Sequence, residues 1–571
     1  MKYAYYFYPL LLLVLLACRL TSELVTPRDA PQPIETIPPA TVAPPDVAPA
    51  SIAPAVLKST SLAKTERHCS GHFVAHQLDH TTAVPGGDEV RMFEANGGGV
   101  AINDLDNDAD LDIVLANHAG PNTILWNEGD LNFRTERIAA GDSRAVNIVD
   151  VDGDGLSDIV FTRRASAPNY WRNEGSQRFV QTIMPGVDKP LYTINWGDLD
   201  GDKDLDFVGG TYDASLLTDL GTEFLSSGEA GVYVYENKDG NYKAIRLADR
   251  AQAMALILPD LNDDTRPDIV VGNDFAVPDY AWLRSDDGWE EAPFDTTSHS
   301  TMSLAQGDID NSGSFEIFST DMMPYSDDPA TEAAWAPVMD DMMDDPHPPD
   351  DPQIMSNMLQ MQTGVSEYTN SAGSRGIDAT GWSWSSKFGD LDQDGFLDLY
   401  VVNGFIEYTT FEHLPNHELV EENQAMRNSG DGYFNPAPDW KLGSTESGRG
   451  MSMADLDGDG DLDIVVNNLR GPAQLFENQL CSGDSLQVDL FWANSGNVRA
   501  IGGELVLHTS QGAFYRSVNV ASGYLSGDPA RIHFGFPQDT DLHWLEVHWP
   551  DGKTTIVEYL DAGTLISINR G

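Results

Sequence analysis

Positive charge is scarce in this chain. Its 571 residues carry 33 Lys and Arg against 90 Asp and Glu, a formal net charge of −57. That balance argues against a nucleic-acid partner, because binding phosphates needs a basic surface. It also implies strong self-repulsion in a compact fold unless cations or a salt-adapted surface offset it. Catalytic signatures are missing as well: there is no G-x-S-x-G elbow, no H-E-x-x-H helix and no phosphate loop. Cysteine is rare, with three residues, Cys18, Cys69 and Cys481. The one apolar run, from Tyr3 to Leu16, is too short to span a bilayer comfortably.

That run follows Met1-Lys2 and ends in Leu15-Leu16-Ala17-Cys18. It reads as a signal segment over 1–17, and its end resembles the lipobox of bacterial lipoproteins. The resemblance implies lipid on Cys18 and a mature protein on the cell envelope, facing outside the cytoplasm, with the membrane reached only through that lipid. Residues 18–67 are rich in Pro, Ala, Thr and Ser and lack apolar periodicity. They read as a semi-extended tether, reaching up to about 150 Å at roughly 3.1 Å per residue.

The body of the chain repeats one nine-residue frame. Asp455-Leu-Asp-Gly-Asp-Gly-Asp-Leu-Asp463 runs into Ile464-Val-Val, and the frame recurs from Asp104, Asp150, Asp198, Asp260, Asp308 and Asp390. Oxygens at positions 1, 3, 5 and 9, with the carbonyl of position 7, suit a calcium ion, which takes 6–8 oxygen ligands. The predicted sets are Asp104, Asp106, Asp108, Asp110 and Asp112; Asp150, Asp152, Asp154, Leu156 and Asp158; and Asp198, Asp200, Asp202, Asp204 and Asp206. They continue with Asp260, Asn262, Asp264, Arg266 and Asp268; Asp308, Asp310, Ser312, Ser314 and Glu316; and Asp390, Asp392, Asp394, Phe396 and Asp398. The last is Asp455, Asp457, Asp459, Asp461 and Asp463. The opening is EF-hand-like, but the closing acid stands at position 9 and a strand follows. The loops at Asp260 and Asp308 depart most from the pattern. The alternative is a set of Asx turns without metal; the recurrent acid at position 9 weighs against it.

Each frame sits among four short strand-like runs, and three of the spacings are 46 to 48 residues. That pattern predicts an all-β chain, with a seven-bladed β-propeller over 68–480 and a small β domain over 484–571. The blocks resemble FG-GAP, or VCBS, repeats. Asp321-Met-Met-Pro324, Asn357-Met-Leu-Gln360 and Ala379-Thr-Gly-Trp382-Ser-Trp384 resemble the cartilage acidic protein family. Ile501-Gly-Gly503, Ser522-Gly-Tyr-Leu-Ser526, His533-Phe-Gly535 and Val547-His-Trp-Pro-Asp-Gly552 resemble the ASPIC/UnbV domain. The resemblance implies a calcium-dependent extracellular binding or adhesion protein with a protein or glycan ligand. The alternative is an enzyme, for instance a polysaccharide-active one, with its site in the propeller channel.

His68, His72, His76 and His80 recur every four residues, but Phe73–His80 reads as a strand, on which they cannot share a metal. Residues 324–352 form an acidic insertion, read as a solvated loop; Trp382 and Trp384 read as blade core rather than a sugar platform. The seventh blade lacks a fourth strand, and Phe73–His80 is a strand without a blade. Pairing the two closes the ring, and it brings Cys69 to Cys481 where a hairpin turn would otherwise lie, which predicts a disulfide.

Overall fold

The computed structural model describes residues 52–62, 69–87, 89–275, 277–343, 351–430 and 432–571. The signal segment, Cys18 and His68 lie outside the described residues.

The first repeat shows how sequence becomes sheet. Val100–Asn103, Asp112–Leu115, Pro121–Asn127 and Phe133–Ala140 pair antiparallel in chain order. The first two strands are buried throughout, which is why Val-Ala-Ile and Ile-Val-Leu run on without polar alternation. Such sheets recur, and seven with four strands of this kind occur among the described residues. Their first strands are Val100–Asn103, Ser143–Val149, Thr193–Gly197, Ala253–Ile257, Ser303–Gly307, Gly381–Gly389 and Gly448–Ala454. Each sheet packs one face on the sheet before it and the other on the sheet after. Ala101, Val114 and Trp126 meet Val146, Ile148 and Phe161, while Val100, Ile102 and Ile113 meet Ala454, Leu456 and Val465. The chain is thus a β-propeller, held by apolar burial worth about 1.5–3 kcal/mol per large side chain.

Ring closure follows the predicted scheme. Val74–Thr81 pairs antiparallel with Pro472–Glu477, Val74 facing Glu477 and His76 facing Leu475. Cys69 and Cys481 are disulfide-bonded with 5.6 Å between their Cα atoms. His76 points out to Glu477 at 2.7 Å and His80 is buried on Thr123, an irregular register between Gln77 and Thr81 separating them, so the two do not share a site.

The C-terminal domain begins at Gly483 and is a sandwich of two four-stranded sheets around Leu486, Val488, Leu505, Phe534, Leu545 and Ile568. Its edge strand is Ala55–Ser61, paired antiparallel with Thr564–Arg570. The tether predicted over 18–67 is therefore corrected: residues 52–62 belong to the C-terminal domain. An edge strand needs only its backbone groups, and this one exposes six of its seven residues, so no apolar alternation marks it. The acidic insertion is corrected too. Pro329–Met343 is a helix whose Trp335 and Val338 are buried. Trp335 packs on Trp382 at 5.6 Å between ring centroids and donates Nε1–H to Glu421. Thr331, Ala334, Trp335 and Val338 carry helical spacing that the charge run obscures. Trp382 and Trp384 are buried in this same aromatic cluster.

The C-terminal domain also enters the propeller. Its hairpin Ala521–Ser522 and Ser526–Gly527 lies among the innermost strands, with Gly527 paired parallel to Ala101 and Gly523 bridged to Leu304.

Candidate metal centres

The aspartate loops are folded by their own hydrogen bonds. In all seven, the position-6 N–H donates to the position-1 carboxylate, as from Gly155 to Asp150 at 2.8 Å and from Gly460 to Asp455 at 2.9 Å. Position 6 takes positive φ whether or not it is glycine: Ala109 is at 81°, Lys203 at 78° and Thr265 at 66°. Position 4 does the same, from Asn107 at 62° to Gly458 at 77°. The position-7 residues, including Leu156, Arg266, Ser314 and Phe396, are set by N–H donation to the position-5 side chain.

The position-9 acid has a second task. One of its oxygens accepts from the position-2 N–H in every loop, as Asp463 does from Leu456 at 3.0 Å. The other accepts from the end of the third strand, from Asn127, Asn173, Asn237, Arg284, Asn428 or Asn478. Four of these asparagines then reach the neighbouring blade. Asn127, Asn173, Asn428 and Asn478 donate Nδ2–H to the position-2 carbonyls of Leu456, Leu105, Ile309 and Leu391. Sequence reasoning missed these staples, although the recurrent Asn-Glu after the third strand, as in Asn127-Glu128 and Asn173-Glu174, was available as a signal.

The carboxylates converge. Ligand atoms of Asp150, Asp152 and Asp158 lie within 4.8 Å of one another, as do those of Asp198, Asp200 and Asp206, of Asp308, Asp310 and Glu316, and of Asp390, Asp392 and Asp398. In the first loop Asp104, Asp106 and Asp108 converge. The loop at Asp308 therefore gathers its acids despite Ser312. The loop at Asp260 is different, because Arg266 turns back on Asp264 at 2.8 Å. Lys238 lies on Asp200 and Asp202, and Arg427 on Asp392, at the rims of their loops.

Like charges crowded out of water raise the carboxyl pKa. Burial, ahead of neighbouring carboxylates, pushes Asp112 and Asp206 up to about 8, Asp158 to about 7 and Asp463 well above the usual range. Asp390 is raised to about 8 by burial and then by Asp394. Meanwhile Asp106 Oδ1, Asp310 Oδ1 and Asp392 Oδ1, all at position 3, are buried without a hydrogen-bond partner. Orphaned anionic oxygens in an all-oxygen donor set fit a hard divalent cation, whose charge would offset both penalties.

The C-terminal domain rests on this face. Arg531 donates to the carbonyl of Ala109, Asn497 to that of Lys203 and His533 to that of Gly460, all position-6 carbonyls. Gln487 donates to Asp455.

Residues 104–161, 150–209 and 418–466 match the family described as FG-GAP-like repeat, and residues 493–571 match ASPIC and UnbV. Cartilage acidic protein 1 of Mus musculus is 35% identical over 111 residues, 19% of this chain and 17% of that protein. The Homo sapiens protein is 34% identical over 111 residues, 19% of this chain and 16% of that protein. The chain thus spans under a fifth of the length of these curated relatives. Among solved structures, BP39L lectin from Burkholderia pseudomallei is similar with a TM-score of 0.45 and 8% identity, over 66% of this chain and 95% of that one. YCF48 bound to D1 peptide is similar with a TM-score of 0.39 and 9% identity, over 71% and 95%. The chain is thus a β-propeller in which residues 104–209 and 418–466 match FG-GAP-like repeats, followed by a domain whose residues 493–571 match ASPIC and UnbV.

Proposed function

We propose that this protein is a calcium-loaded binding module held at the cell envelope, with a protein or glycan as ligand. The observation that carries the calcium reading is the set of buried, unpartnered carboxylate oxygens at position 3, set in loops already folded around a common centre. Filling such a centre relieves the repulsion between its acids and removes the orphaned acceptors. Calcium then acts structurally: it stiffens the loop face on which the C-terminal domain rests.

The ligand surface belongs on the opposite rim. In an antiparallel blade the second-to-third strand connections lie at the far end from the aspartate loops. There the chain places its long connections, 211–231, 404–423 and the described residues 321–343 and 351–357. Long connections on a rigid scaffold are where binding residues concentrate. Envelope anchoring rests on the sequence before Cys18. The alternative of an enzyme in the channel puts its site where residues 521–527 pass. Glycan and protein arrays probed with calcium, and again with chelator, test the proposal. Specific binding that chelator abolishes supports it. Turnover of an arrayed polysaccharide would favour the enzyme.

A further inference from the structure

At the end of the channel away from the aspartate loops, two arginines are buried without a counter-ion. Arg144 is 2% exposed and Arg449 0%. In a chain with 90 acidic residues, no carboxylate of the described residues lies within salt-bridge distance of either. Arg449 donates to the carbonyls of Ala95, Gly404 and Gly448 and stacks on Trp384 at 4.1 Å, yet its Nη2 has no partner. Arg144 meets only the ring Nδ1 of His118, at 3.4 Å, and the buried Nε2 of His118 is also unpartnered.

These groups are packed close together, with both Arg144 and Arg449 acting on the His118 ring and no room for a side chain at Gly97. A Cβ on Gly97 would fall 2.4 Å from His118 Nε2 and 2.7 Å from Arg144 Cδ, and one on Gly98 3.4 Å from Arg449 Cβ. Both guanidinium groups lie within electrostatic reach of the same two hydroxyls, those of Tyr192 and Tyr524. The hydroxyls share one hydrogen bond of 2.7 Å, and Tyr524 Oη also accepts from Gly97 N–H. Whichever tyrosine donates in that pair, one O–H proton is left without an acceptor among the described residues. The site therefore offers donors and positive charge with no carboxylate in direct contact: Asp142 acts on Arg144 and Glu418 on Arg449 only from beyond ion-pair distance, and carbonyl dipoles do not cancel a unit charge in a low-dielectric interior.

We infer that the channel floor holds a small monovalent anion of halide size between Arg144 and Arg449, beneath the Tyr192–Tyr524 pair. The rings of Trp384 and Phe405 stand against Arg449 and limit the space. Tyr524 comes from the C-terminal hairpin, while Arg144 and Arg449 come from propeller strands. The anion thus ties the hairpin to the ring, independently of calcium.

The test uses the calcium-saturated mature chain in gluconate buffer. Chloride replaces gluconate at constant ionic strength while the thermal midpoint is followed, and crystals are grown in bromide. The expected result is a saturable rise in the midpoint and a single bromide anomalous peak between the two guanidinium groups. Arg144→Met should raise the half-saturating chloride concentration at least tenfold. A midpoint indifferent to which anion is present, or bromide crystals without that peak, would overturn the inference. If Arg144→Met does not fold, the bromide crystals of the natural chain decide.

Discussion

At the level of single residues, the position-3 acids carry the most informative chemistry. Asp392 has a buried, unpartnered oxygen beside Asp390 and Asp398. Asp392→Asn should lower the stability of the calcium-loaded protein by about 1–3 kcal/mol, yet raise that of the chelated protein, because one repelling charge is gone. A fall under both conditions would mean that the loop is an Asx-turn scaffold alone. Thr265 is a β-branched residue at positive φ, a costly conformation that glycine adopts freely. Thr265→Gly should therefore stabilise by about 1 kcal/mol in thermal unfolding. The acids with raised pKa set a pH dependence. In the folded, metal-free state the position-9 group binds its proton up to about pH 7–8, whereas an unfolded Asp releases it near 4. The folded form thus holds more protons across that window, and its stability falls as pH rises from about 4 through about 8. With calcium the carboxylates are held ionised and the slope should flatten. Thermal midpoints across pH, with and without chelator, check both signs.

At the level of elements, the parts defined by local spacing were legible in the sequence. The nine-residue frame fixes a loop between two strands, so the aspartate positions, the blade pattern and the strand that closes the ring could be read directly. What escaped depends on contacts across the chain. Ala55–Ser61 carries no pattern because an edge strand is held by its backbone. The Ser522–Ser526 motif is plain in the sequence, but nothing local shows that it enters the channel. The asparagine staples needed the neighbouring blade in view. Asn478 donates to both Leu391 and Leu462 carbonyls, at 2.8 and 3.3 Å. Asn478→Ala leaves two buried acceptors with lost partners and should cost about 2–4 kcal/mol in denaturant unfolding. The clasp at the ring seam joins residues 412 apart in sequence. Cys481→Ser should cost about 2–5 kcal/mol and expose the seam strand first, seen as faster amide exchange over residues 74–81 than in any other blade strand.

At the level of the whole molecule, a net charge of −57 is compatible with a closed ring only if the acidic face is compensated. Seven loops of this frame concentrate carboxylates on the face where the C-terminal domain rests, and under the proposed calcium loading the metal, the propeller and domain docking would form one cooperative unit. Calorimetry and metal analysis on the same sample test that claim most directly. The protein, dialysed against chelator and then titrated with calcium at constant ionic strength, should bind several ions per molecule. Its thermal midpoint should rise by at least about 5 °C, and sodium at matched ionic strength should not reproduce the rise. A metal-free sample that unfolds at the same temperature as the calcium-treated one, with no ions retained, would contradict the account.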